Sequence, residues 1–104
     1  PEYLDALEAR RCDIDFATQV PHAPLRVFVM GRRGVEREPA TAQDMAAMGA
    51  LVEEGVNAGA LGFSTSRSLF HRASDGALTP TITAAEEELT AIARVLGRAG
   101  KGVI

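Results

Sequence analysis

Residues 58–72 read AGALGFSTSRSLFHR, and the reading of this stretch decides the fold. The apolar run Ala60-Leu61-Gly62-Phe63 passes directly into Ser64, Thr65, Ser66, Arg67, Ser68, His71 and Arg72. A buried parallel strand has this character where it emerges into a polar loop. In α/β proteins ligands gather at the carboxyl ends of strands, so chemistry is expected here. The hydroxyls, the backbone N–H groups and the Arg67 guanidinium suit a carboxylate or phosphate, which arginine meets with a planar two-point contact. The competing reading is a solvated loop whose Ser and Thr side chains satisfy local backbone groups.

Upstream of this stretch, Thr41 and Asp44 stand at capping-box spacing. Met45, Met48, Leu51, Val52 and Val56 fall on one helical stripe, and Gly59 is a natural stop. Downstream, Thr83 and Glu86 repeat the capping spacing before a helix at residues 84–96. Leu89, Ile92, Ala93 and Leu96 form its buried stripe. Glu86, Glu87 and Glu88 favour its amino end, and Arg94 and Arg98 its carboxyl end. Gly97, Gly100 and Gly102 then lead into a short strand.

Nearer the amino end, Tyr3, Leu4 and Leu7 place the end of a helix at residues 2–10. Residues 12–20 alternate, with Ile14 and Phe16 opposed to Asp13 and Asp15, as in a strand with one polar face. Pro21 and Pro24 make residues 21–24 a turn. Residues 25–30 read as a second, β-branched strand, and residues 31–39 as a charged loop. The order is helix, strand, short strand, helix, strand, helix, strand. That alternation predicts an α/β fold of parallel strands with right-handed crossovers. A closed eight-stranded barrel takes about 250 residues. The 104 residues here therefore predict a partial (β/α)8 TIM-barrel fragment of about three β/α units. The chain stops where a strand is starting, so residues 1–104 are read as an internal segment of a larger barrel domain.

Composition narrows the function. The net charge of −3 comes from interspersed acids and bases, with no basic face for nucleic acid. No apolar run approaches the ~20 residues of a membrane span. The single cysteine, Cys12, excludes an internal disulfide and fits a reducing cytoplasm, with a buried inert thiol as the expectation. Of the two histidines, His71 suits a general base near neutrality, against the plainer reading of a surface residue. His22 lies between prolines and suits either a substrate carbonyl or a structural bond to backbone. Ser64 is in no nucleophile elbow. The glycines at 97, 100 and 102 close a helix where a dinucleotide fingerprint opens one.

Two stretches carry a family resemblance. Gln19-Val20-Pro21-His22-Ala23-Pro24-Leu25-Arg26-Val27-Phe28-Val29-Met30-Gly31 is similar to the G-H-x-x-L-R…M-G segment of the D-aminoacylases. Asn57-Ala58-Gly59-Ala60-Leu61-Gly62-Phe63-Ser64-Thr65 resembles their G-A-x-G-L-S-T-G segment, and Glu87-Glu88-Leu89 their following A-x-x-x-E-L stretch. This family is the N-acyl-D-amino-acid deacylase branch of the amidohydrolases. The resemblance implies a metal-dependent barrel with a small β-sandwich, and amide hydrolysis by metal-activated water with a late Asp as base. It implies zinc in an intact parent enzyme. None is expected to be held by this chain, which lacks the family's early H-x-H pair, bridging ligand, later histidines and late aspartate. It also lacks the family's Tyr after S-T-G-L, and Pro21-His22 replaces Gly-His, as in a side branch with a different substrate.

On this resemblance no residue of the chain is catalytic. Ser64, Thr65, Ser66, Arg67, His71 and Arg72 are expected to contact the substrate, Arg67 gripping a carboxylate, and His22 to make a polar contact near the metal. The implied partners are a small N-acyl amino acid or related amide, the remainder of the barrel, and other copies of the fragment through its open edges. The isolated chain is expected to be inactive. The alternatives are a freestanding α/β module that binds a small anion without catalysis, and a purely structural domain.

Overall fold

The computed structural model describes residues 2–104. The element order is α1 (Glu2–Glu8), β1 (Val20–Pro21), α2 (His22–Met30), α3 (Arg32–Val35), α4 (Ala42–Asn57), β2 (Phe63–Ser64) and α5 (Glu86–Ala99). The capping signal at Thr41 is realised in full. The Asp44 backbone N–H donates to Thr41 Oγ1 at 3.2 Å, and the Thr41 N–H donates back to Asp44 Oδ2 at 2.8 Å. Met48, Val52 and Val56 on α4 are buried as their spacing predicts, with Met45 and Leu51 half-buried beside them. They pack with Leu25, Phe63, Ile92 and Leu96 into one core. Met48, Val52, Phe63 and Ile92 are fully buried, each contributing about 1.5–3 kcal/mol relative to exposure.

α5 begins two residues later than its capping signal predicts. Ala85 is its N-cap and offers no side-chain bond. The Thr83 hydroxyl instead donates to the Arg37 carbonyl at 3.1 Å. Glu86, Glu87 and Glu88 lie in its first turn, where the helix dipole favours negative charge.

Residues 25–30, read as a strand, belong to helix α2. His22, Leu25, Arg26 and Met30 are buried on it and Val29 is half-buried, a spacing of i, i+3, i+4, i+7 and i+8. That is a helical stripe, hidden in the sequence because two of its members are polar. Pro24 costs little because first-turn N–H groups have no acceptor within the helix. The expected loop at residues 31–39 contains the short helix α3.

The partial TIM-barrel reading, with about three β/α units, does not hold. About half of the described residues are helical, and their two strands are two residues long. Residues 12–17 are exposed and pair with nothing in a sheet; Cys12 is exposed with them, not buried. β1 and β2 are parallel, with Val20 opposite Phe63 and Pro21 opposite Ser64. An isolated parallel bridge joins Gly62 to Val103 on the far side. Gly62 lies at φ 150°, and a Cβ there would fall 2.0 Å from the Val103 carbonyl oxygen, so only glycine permits this approach.

The Asp44 carboxyl is lowered from 3.8 to about 2, first by the Arg33 guanidinium and then by the Thr41 N–H and hydroxyl. Its folded value lies below its unfolded one. The stability it confers is therefore complete above 3.8 and is lost as the pH falls towards 2. Thr41→Ala is expected to cost about 1 kcal/mol at neutral pH, read as a lower urea midpoint with an unchanged slope.

Candidate functional site

The parallel register sets the site. β1 ends at Pro21 and β2 at Ser64, so the next residues, His22 and Thr65, emerge side by side at the carboxyl ends of the pair. His22 opens α2 and is 1 % exposed. Its ring leans on Phe63 with centroids 5.0 Å apart. His22 Nδ1 lies 2.8 Å from Thr65 Oγ1, and Nε2 lies 2.6 Å from Glu88 Oε1.

Glu88 is on α5 and 1 % exposed. Arg26 stands one turn after His22 on the same face of α2, so both reach the same carboxylate. Arg26 Nη1 donates to Glu88 Oε2, and Nη2 donates to the Glu38 carbonyl at 2.6 Å. Arg26 Nε is buried with no partner among the described residues. Burial pushes the Glu88 carboxyl upward, but the bonds from His22 and Arg26 outweigh it and hold the group below its ordinary value. Glu88 is thus a carboxylate, which only accepts. Nε2 must carry a proton; Nδ1 accepts from the Thr65 hydroxyl when the ring is neutral and donates to its oxygen when the ring is an imidazolium.

A pocket of about 280 Å3 opens beside this pair. His22, Ser64, Thr65, Ser66 and His71 line it, as do Thr79 and Thr81. Ser66 Oγ and His71 Nδ1 are 2.7 Å apart. The Thr81 hydroxyl donates to the Ser66 carbonyl at 2.5 Å and lies 3.3 Å from the Thr79 hydroxyl. Five of the seven residues singled out in the sequence therefore meet at one pocket. Arg67 and Arg72 do not. Arg67 is exposed outside the lining, and Arg72 Nη1 donates to the Gly76 carbonyl at 3.4 Å within its own turn. A larger groove of about 420 Å3, lined in part by Tyr3, Leu4 and Val20, offers mostly apolar surface.

Sequence reasoning missed the roles of Glu88, Arg26, Thr79 and Thr81. A signal existed for the first two. Glu88 precedes Ile92 by four residues on the buried face of α5, and Arg26 follows His22 by four on α2. A charge on an apolar stripe marks a buried partner.

Among the described residues no group of three or more His, Cys, Asp and Glu is placed to hold a metal ion, and no helix is long and apolar enough to cross a membrane. No protein-family profile matches the chain, and no solved structure matches it. A D-aminoacylase of Alcaligenes xylosoxydans xylosoxydans is 35% identical over 99 residues. The match covers 95% of this chain and 18% of that protein's length. The chain is distantly related to that D-aminoacylase.

Removing one partner of a buried ion pair strands the other, at a cost of about 3–5 kcal/mol. Arg26→Ala is expected to lose that much by urea unfolding. Glu88 has a folded value below 4.5, so its contribution is complete above 4.5 and is lost as the pH falls through the folded value. Glu88→Gln should flatten that part of the acid-unfolding profile.

Proposed function

We propose that this chain is a segment of a hydrolase acting on carbon–nitrogen bonds other than peptide bonds, of the D-aminoacylase kind. The observation that carries the reading is kinship along nearly the whole chain, 99 residues at 35% identity. The pocket at the strand ends supports it as a place for a small amide. In this reading Thr65, Ser66, His71 and His22 contact or orient the substrate. The anion-binding alternative has less support, because neither Arg67 nor Arg72 lines the pocket.

The residues present do not fit a zinc centre. Glu88 has both oxygens engaged by His22 and Arg26, and His22 has both nitrogens engaged by Glu88 and Thr65. Zinc in the proposed enzyme is held by residues outside this chain. Self-association belongs to the same reading, since Phe70 and Phe28 are 94% and 79% exposed.

Hydrolysis of N-acetyl-D- and N-acetyl-L-amino acids tests the proposal, comparing the 104-residue chain with the longer polypeptide encoded around it. The longer polypeptide is expected to release free amino acid and the short chain none. Calorimetry of the short chain with zinc is expected to show no stoichiometric tight binding. A longer polypeptide that cleaves no such amide overturns the proposal.

A further inference from the structure

We propose that the outer groove between α4 and α5 is an interface that takes a second copy of this chain, with the two α5 helices running antiparallel across a two-fold axis. Inward, α4 and α5 meet in the core through Met48, Val52, Ile92 and Leu96. Outward, they leave two adjoining hollows of about 410 and 400 Å3 that share Met45, Ala91 and Arg94 and so form one groove. Gly49 and Val95 bring its two walls together: a Cβ on Gly49 would stand 3.0 Å from Val95 Cγ2. Arg94 and Arg98 line one end of the groove, and Glu86 and Glu87 the other. All four are exposed, and none has an ion-pair partner among the described residues.

The order of these charges selects the partner. Glu87, Ala91, Arg94 and Arg98 follow one another at helical spacing, so they form a stripe along α5 that reads acid, small, base, base. A copy laid on it in the same direction sets like charge against like. A copy laid in the opposite direction sets acid against base. A helix rises about 1.5 Å per residue, so Glu87 lies about 6 Å to one side of Ala91 and Arg94 about 4.5 Å to the other. With the two-fold axis at Ala91, the partner's Glu87 stands level with Arg94, and the partner's Glu86 falls between Arg94 and Arg98. The same pairs recur on the other side of the axis, as an isologous contact requires. Ala91 on the axis has too short a side chain to hold the helices apart.

The inference goes beyond the hydrolase reading and does not rest on it. It gives self-association a surface that carries neither Phe28 nor Phe70. Sedimentation equilibrium of the 104-residue chain tests it. At low ionic strength the chain is expected to be a dimer that weakens as salt is added, because exposed charges are screened. Arg94→Glu with Arg98→Glu makes the stripe wholly acidic, and Glu86→Arg with Glu87→Arg makes it wholly basic. Each double variant is expected to associate about tenfold more weakly or worse, since like charges then face each other. Mixed in equal amounts, the two are expected to regain a heterodimer, which misfolded chains could not form. Phe28→Ser with Phe70→Ser is expected to leave the dimer intact. A chain that stays monomeric, a dimer that either charge reversal leaves unchanged, a mixture that stays monomeric, or a dimer lost in the phenylalanine variant overturns the proposal. None of these results bears on the hydrolase reading, because turnover by the longer polypeptide tests that separately.

Discussion

One buried carboxylate ties the molecule together. Glu88 projects from α5 into the core and is met there by two residues of α2, His22 and Arg26. Arg26 carries the connection onward to the Glu38 carbonyl, just before α4. Two helices and a connecting loop thus share one charge network. A carboxylate taken out of water is costly unless paired and hydrogen-bonded, so this network has few acceptable geometries. Apolar packing joins α4 and α5 to the same core, but apolar contact is not directional. The Glu88 bonds fix how α2 sits on α5. They also fix which way the His22 ring faces.

That orientation reaches the surface through the sheet. β1 and β2 are short, but their parallel register decides that His22 and Thr65 leave the sheet as neighbours. Gly62 lets the far edge approach Val103, which holds β2 between two backbone partners. The Thr65 hydroxyl is therefore positioned from beneath by an imidazole, which is positioned by a carboxylate, which is positioned by an arginine. None of these groups can reorient alone without leaving another unpaired.

The legible part of the fold was the part written in local terms. Thr41 and Asp44 announced α4, and the spacing of Met48, Val52 and Val56 announced its buried face. α1 and α5 were placed within a few residues. What the local pattern concealed was α2, because His22 and Arg26 occupy stripe positions that hydrophobic counting leaves blank. With those blanks, Val27, Phe28 and Val29 look like a strand. The alternation of residues 12–20 was equally misleading. Alternation describes a strand that has a neighbour, and the backbone finds one only from Thr18, whose carbonyl accepts from Leu61 at 2.8 Å. The site was legible in position, since Ser64, Thr65 and Ser66 do lie where a strand ends. Its polarity was not, because the direction of a hydroxyl proton depends on partners 15 to 43 residues away.

The same dependence constrains the Thr81 side of the pocket wall. Turning the Thr81 hydroxyl towards a ligand acceptor strips the Ser66 carbonyl of its donor. A lost bond costs about 0.5–1.5 kcal/mol where water can replace it, and about 1–3 kcal/mol where it cannot. An acceptor ligand at Thr81 must offset that loss before it gains anything. The arginines named by the sequence lie outside this wall, and the arginine that matters, Arg26, is spent on Glu88. Positive charge near the pocket is thus spent on position: Arg26 holds the carboxylate, the carboxylate holds the imidazole, and the imidazole lies 2.8 Å from the Thr65 hydroxyl.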